Sequence, residues 1–484
     1  MKNIKNILFI IAVIFTYSAC ENDLNTIRED RFATGSFYQN ASDLEAAVNA
    51  AYGGLQKNGL YGFNYHILME TRTDNTFEEE PSNSGGFGDV DLFNRVTTNG
   101  VFRKTWVDSY VTIQAANIVL NRIDAISDMD SALKEIRKGE VKFIRALVYY
   151  NLVNLYGGIP LVLQETTNPT DYFGQGRASV QEIFDQIIID VTEASSALPE
   201  SNDIGRVNKG ASSLLLAKAY LTLGNAAEAE TALRAINGYT FVNTYADLFG
   251  ISNENNAGSI FEIQFKPFVN GNAEGSTFAF KFRSQKFPDS KGNNVITQDL
   301  LNSFEAGDLR RNEIVQDPQD PSIYISTKYL DERTKLLTDN NPDNNDQVII
   351  DDGDNNVIVF RYADVLLSLA EALNLKGYVA DGEAFDLINS IRTRAGLPNL
   401  TAATITNQQE FTEALLKERR HEFFYENHRW FDLKRLGDPV QIMNTHFAGF
   451  VGLNITIDAN DLLLPIPLDQ LNSDPGSMEQ NPGY

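Results

Sequence analysis

The chain has 484 residues, 43% of them hydrophobic and 22% charged, with 65 acidic against 40 basic side chains for a formal charge of −25. That length exceeds the roughly 250–300 residues one core absorbs, so the expectation is two packed lobes or one large fold of stacked smaller units. The acidic balance disfavours nucleic acid and anionic lipid surfaces, while one Cys and four His give no disulfide framework and little material for zinc, which leaves a soluble protein that binds something neutral.

Residues 1–20 read MKNIKNILFIIAVIFTYSAC. Lys2 and Lys5 precede nine apolar residues, Ile7 to Phe15, a run too short to span a bilayer but of the length of a signal-peptide core. Cys20 follows Ser18 and Ala19 where cleavage would fall, a pattern similar to bacterial lipoprotein signals in which the cysteine is lipidated. Ordinary secretion with an incidental cysteine is the alternative. Removing residues 1–19 takes away two lysines and leaves a charge of −27. Residues 20–40 suit a tether and extended lead-in, and lipid chains there would anchor the protein to a membrane without spanning it.

From Ala41 the pattern is helical, with Leu44, Ala47, Val48, Ala51 and Leu55 on one face and Ser42 as the expected N-cap. Residues 71–99 break it with Pro81, Gly85-Gly86 and many Asn, Thr and Asp, and a long irregular segment of this kind points to function. Helices are then expected over 102–126, over 133–156 with its nearly all-apolar FIRALVYYNLVNLYG stretch placed in the interior, and over 179–198. LAKAYLTLG (216–224) and LAEALNLKG (369–377) share an L-A-x-A spacing and a terminal Gly, and each is followed by a second helical pattern, over 226–236 and 382–394. Small residues allow close helix approach and the Gly permits a tight return, the logic of a tetratricopeptide-like hairpin. The copies lie too far apart for a regular solenoid.

Residues 257–360 are the least helical, with FEIQF (261–265) and TFAFKF (277–282) alternating like short strands. The Asp/Asn-rich stretch 339–356 fails the calcium-loop spacing and reads as a solvated loop. KERRHEFFYENHRWFDLKR (417–435) lacks the second His of a metalloprotease helix, and its acids cancel most of the field of its basic residues. It reads as an amphipathic helix whose Arg–Glu pairs lock it to other elements. No nucleophile elbow, P-loop or dinucleotide fingerprint occurs, so catalysis has no support and no cofactor or metal is expected.

GEVKFIRALVYYNLVNLYGGIPLV (139–162), RASVQEIFDQIIIDVTEASSALP (177–199), GRVNKGASSLLLAKAYLTLG (205–224), RYADVLLSLAEALN (361–374), INSIRTRAGLP (388–398), ERRHEFFYENHRWFDLKR (418–435) and the tail from Leu462 to Tyr484 occur in this order. Together they resemble the SusD/RagB nutrient-binding lipoproteins of Bacteroidetes. The resemblance implies a mainly α fold, four tetratricopeptide-like helix pairs with a loop-rich, partly β region packed on them. It divides the mature chain into an N-terminal helical region (41–256) and a C-terminal region (257–484). It further implies a lipid-anchored, cell-surface, outer-membrane protein that performs no chemistry and caps a SusC-like TonB-dependent transporter, to which it delivers a glycan.

Relatives that take glycans stack aromatic rings on sugars, whose hydroxyls are met by polar side chains. The expected ligand contacts here are Arg72, Asp74, Asn75, Phe77, Phe87 and Phe93 of the 71–99 segment, with Phe287 and Tyr324 from later loops. Trp106 and Trp430 are expected to pack internally. A peptide ligand, or a structural lid with little affinity of its own, are the alternatives, and a surface glycoside hydrolase is a distant third.

Overall fold

A computed structural model describes residues 38–168, 170–269, 272–286, 290–330, 353–449 and 454–484. Cys20, the expected signal and most of the tether, Phe287 and the greater part of 339–356 lie outside the described residues. The scaffold is helical: α1 (Ala41–Leu55), α2 (Gly86–Asp91), α3 (Gly100–Arg122), α4 (Ser131–Tyr156), α5 (Val180–Ala197), α6 (Lys209–Thr222), α7 (Ala226–Arg234), α8 (Tyr362–Lys376), α9 (Glu383–Arg394), α10 (Gln408–Phe423), α11 (Arg429–Leu436) and α12 (Pro439–Ala448). Among the described residues four antiparallel two-stranded ribbons accompany it, from β1 (Thr76–Phe77), β2 (Ser259–Ile263), β3 (Lys266–Val269), β4 (Asn272–Glu274), β5 (Val295–Ile296), β6 (Ile314–Asp317), β7 (Asp320–Ser326) and β8 (Val357–Arg361), paired β1–β5, β2–β8, β3–β4 and β6–β7.

Local chemistry sets the helix ends. The N-cap of α1 is Asn40, whose side chain accepts from the Asp43 amide, and not Ser42, which falls inside the first turn. Asp130 caps α4 by accepting from Ala132 and Leu133, and Ser179 with Glu182 forms a reciprocal capping box on α5. From Gly139 to Tyr156 every residue of α4 except Lys142 is buried, as its apolar circumference requires.

Helices pack as pairs, α1 on α3, α4 on α5, α6 on α7 and α8 on α9, and neighbouring pairs stack through α3 on α4, α5 on α6 and α7 on α8. Gly224, at φ +78°, turns α6 into α7. The two L-A-x-A hairpins therefore touch, although the chain between them is long. Lys376 to Glu230 at 2.6 Å, Arg234 to Glu383 at 2.6 Å and buried Lys218 to Asp364 at 2.7 Å tie them together.

Two insertions leave this stack, residues 56–99 between α1 and α3 and residues 235–361 between α7 and α8. In place of two lobes there is one continuous hydrophobic core, running from Leu44 to Ile466, with a smaller cluster around Leu367, Phe385 and Phe411. Within the second insertion FEIQF supplies β2, paired with β8. TFAFKF is not a strand: Phe278–Lys281 is a helical turn, which brings Phe278 and Phe282, four residues apart, to a stacked 5.7 Å.

The 417–435 segment is not one amphipathic helix. It breaks between α10 and α11, where Tyr425 and Asn427 take φ near +67°, and it is buried on all sides as far as Leu433 from Glu418. Its ion pairs do lock it to the rest. Arg419 bonds Asp364 (2.8 Å) and Asp432 (2.9 Å), Arg435 bonds Glu371 (2.6 Å), Glu418 receives Arg310 (2.5 Å) and Arg392 (3.0 Å), and Glu422 receives Arg361 and Arg394. Those guanidiniums outweigh burial and hold the Glu422 carboxyl well below the usual carboxylate range.

Candidate functional site

The two insertions meet edge to edge. Thr76 pairs with Ile296 and Phe77 with Val295, and the contact is extended by Thr297 N–H to the Asn75 carbonyl (3.0 Å) and Glu79 N–H to the Gly292 carbonyl (2.9 Å). Beside this clasp opens a cleft of about 770 Å³, lined on one side by Asn58, Phe63, Asn64, residues 83–87, Gly100, Val101 and Lys104, and on the other by Lys281, Gln285, Ser290, Lys291 and Asn293. Such a volume suits a small oligomeric ligand. A separate hollow beside Tyr52 and Arg206 has about 270 Å³, and the void between Tyr65 and Phe431 has only about 30 Å³, room for a water.

Aromatic rings form one wall. Phe87, half-buried, meets buried Phe63 edge-on at 5.3 Å, and Phe63 in turn stacks on Phe282 at 5.7 Å. The loop that presents Phe87 is tightly built: Ser84 Oγ bonds the Pro81 carbonyl (3.1 Å), Asn83 bonds Glu80 (3.0 Å), and Asn99 Nδ2 bonds the Gly86 carbonyl (2.9 Å). Gly88 lies so close to Pro81 that a Cβ there would sit 1.9 Å from the Pro81 carbonyl oxygen. Amides of Asn58, Asn64, Asn83, Gln285 and Asn293 and the ammonium groups of Lys104, Lys281 and Lys291 supply polar atoms around the rings.

Beneath the cleft Asn293 donates to the buried Glu78, and the Glu78 amide donates to Asp91 Oδ2 at 3.2 Å. Burial, with the neighbouring Asp91, pushes the Glu78 carboxyl up to about 8, and burial pushes Asp91 up to about 7. Glu78 is therefore largely a neutral acid at neutral pH. Among the described residues no three His, Cys, Asp or Glu side chains converge as metal ligands.

Of the expected ligand contacts, Phe87 is in the cleft, and Phe287 lies outside the described residues. Arg72, Asp74 and Asn75 are interior groups instead, 2%, 2% and 0% exposed. Arg72 lies over the Phe93 and Trp430 rings at 4.3 and 5.1 Å and donates to the Asp461 carbonyl. Asp74 takes a two-pronged bond from Arg429 (2.8 and 2.7 Å) and pairs with Arg420 at 3.2 Å. Asn75 bonds Glu70 and Arg420, both at 2.9 Å. Phe93 is a core ring 5.8 Å from Trp430 and from Phe447, while Trp106 and Trp430 pack internally as expected. Phe77 is half-buried in β1, and Tyr324 lies under Arg311 on β7, both away from the cleft lining. Sequence reasoning missed Phe63, Lys104, Lys281 and Asn293. The Gly59 and Gly62 pair before Phe63 is the one local signal for it, since both glycines sit too close to backbone carbonyls for a side chain.

A family model described as SusD family matches residues 319–484, and one described as starch-binding, associating with the outer membrane, matches residues 33–221. The chain is 29% identical over 551 residues to SusD-like protein P25 of Formosa agariphila, with 99% of each covered. It is 25% identical over 438 residues to the starch-binding protein SusD of Bacteroides thetaiotaomicron, with 76% of each covered. A solved structure of a laminarin-binding SusD-like protein superposes with a TM-score of 0.75 at 26% identity, over 92% of this chain and 100% of that one.

Proposed function

Because the chain belongs to the SusD/RagB family, we propose that it is a non-catalytic, outer-membrane glycan-binding protein that holds an oligosaccharide in the cleft between its two insertions. The observation that carries this reading is the cleft itself, about 770 Å³ with the Phe87 ring on one wall and side-chain amides around it. The apolar face of a sugar ring covers an aromatic ring, while amides and ammonium groups meet its hydroxyls. The laminarin- and starch-binding relatives support the ligand class. No helix among the described residues is long and apolar enough to cross a membrane. Attachment is assigned to lipid on Cys20, and delivery to a TonB-dependent transporter that this protein caps.

Calorimetry of protein lacking residues 1–20 against a panel of oligosaccharides tests the reading. Binding that falls about tenfold in Phe87→Ala is expected, about 1.4 kcal/mol for a lost stacking face. Tight binding of peptides with no glycan signal overturns it. In the full-length protein, Cys20→Ser should abolish lipid labelling and outer-membrane association, and retention of both refutes the anchor.

A further inference from the structure

The void of about 30 Å³ lies where four parts of the chain meet: Tyr61 and Tyr65 of the first insertion, Asn151 of α4, Phe360 of β8, and His428 at the break between α10 and α11. His428 is 8% exposed, and among the described residues neither of its ring nitrogens makes a hydrogen bond. Nδ1 stands 4.0 Å from Asp364 Oδ2, beyond hydrogen-bond reach, and that carboxylate is already met by Lys218 at 2.7 Å and Arg419 at 2.8 Å. Burial pushes the imidazole down to about 3, so at neutral pH the ring is uncharged, with one N–H to donate and one nitrogen to accept. Asn427 lines the same void, and its side-chain amide also has no partner among the described residues. Polar groups left unmet in an interior are costly.

We propose that this void is a hydration site, in which one or two ordered waters are bound by His428 and by the hydroxyls of Tyr61 and Tyr65. A buried water needs roughly 10–15 Å³ of such room and two to four polar partners. The tyrosines can supply them. Tyr65 Oη donates to Asn151 Oδ1 (2.8 Å), and Asn151 Nδ2 donates to Tyr61 Oη (3.0 Å), which leaves lone pairs on both hydroxyls. A water that donates to a tyrosine oxygen and meets an imidazole nitrogen satisfies groups that the folded chain does not pair by itself.

The charges on the lining point to an uncharged occupant. Lys218 and Arg435 stand against Glu426 and Asp432, two of each sign, so the site has no surplus charge for an ion to neutralise. Its position gives the water a task. Tyr61 and Tyr65 flank Phe63, whose ring belongs to the aromatic wall of the cleft, so the site ties that segment both to α4 and to the α10–α11 break. It also accounts for Asn427 and His428 within a segment that is otherwise held by ion pairs.

The test is a high-resolution crystal structure of the protein and of His428→Phe, with the melting temperature of each. Phenylalanine keeps a ring against Phe423, at 4.6 Å in the wild type, and removes both nitrogens. Wild-type density should show a water about 2.7–3.2 Å from a His428 nitrogen, and the variant should lack it. The variant should melt about 1–3 °C lower, because the water has lost a partner. A wild-type void without water density overturns the proposal, and so does water that touches neither His428 nitrogen. A variant that melts at or above the wild-type temperature overturns it as well, since at a dry site the substitution removes only an unpaired polar group.

Discussion

Asp74→Asn separates a structural carboxylate from a ligand contact. The substitution keeps the size of the side chain and removes its charge, leaving the Arg429 guanidinium without its carboxylate partner in the interior. Arg420 retains Asp299 at 3.1 Å and Asn75 at 2.9 Å, so most of the loss falls on Arg429. Breaking a buried pair in this way costs about 3–5 kcal/mol. With an unfolding entropy of about 2.1 cal/mol/K per residue, a chain of this size loses roughly 4 °C in melting temperature if it unfolds as one unit. The two arginines outweigh burial and hold the Asp74 carboxyl far below its ordinary value of 3.8, so its contribution is fully present above that pH and is lost as the pH falls further. Differential scanning calorimetry at pH 7 and pH 3 should therefore show the gap between variant and wild type narrowing in acid. Glycan affinity, measured well below the melting transition, should stay within about twofold. A variant that melts within about 1 °C of wild type but no longer binds glycan would refute the reasoning and restore Asp74 as a ligand contact.

Glu78→Gln should flatten the pH dependence of stability. The wild-type carboxyl ionises near 4.5 when unfolded and near 8 when folded, so its ionisation penalises the folded state increasingly from about pH 4.5 to 8, by at most about 5 kcal/mol. Denaturant titrations at pH 5 and pH 8 should show the variant gaining on the wild type at the higher pH, and identical slopes with pH would contradict the assignment. Gly88→Ala forces Pro81 to shift, because the added methyl meets backbone rather than a pliable side chain. A stability loss of about 1–3 kcal/mol is expected, with a fall in glycan affinity as Phe87 moves; unchanged affinity would show that the loop does not set the ring.

Much of the scaffold was legible because its signals are local. The helical pattern over 179–198, the apolar circumference of Phe143–Tyr156 and the repeated L-A-x-A hairpin each act within a few turns of chain. The 71–76 stretch was misread for the opposite reason. TRTDNT has the composition of a solvated loop, and what makes it an interior strap is Arg420 and Arg429, roughly 350 residues further on. Phe278 and Phe282 misled in a subtler way, since a run of alternating phenylalanines also places residues four apart on one face of a helical turn. Loop composition and the Gly85-Gly86 pair located one rim of the cleft. Its other rim, made by Lys281, Gln285, Ser290, Lys291 and Asn293, stays hidden until β1 meets β5.

The adjacency of α7 and α8 has an evolutionary consequence. Residues 235–361 leave and rejoin the helical stack at neighbouring points, with the Thr240 amide bonded to the Ala257 carbonyl and the Tyr362 amide to the Gly258 carbonyl, both at 2.8 Å. Closing a loop between fixed ends costs only about 0.6 kcal/mol for each doubling of its length. Exposed turns of the excursion can therefore lengthen or shorten while the helices beneath it keep their register, so long as buried Arg310 and Arg361 stay in place to meet Glu418 and Glu422.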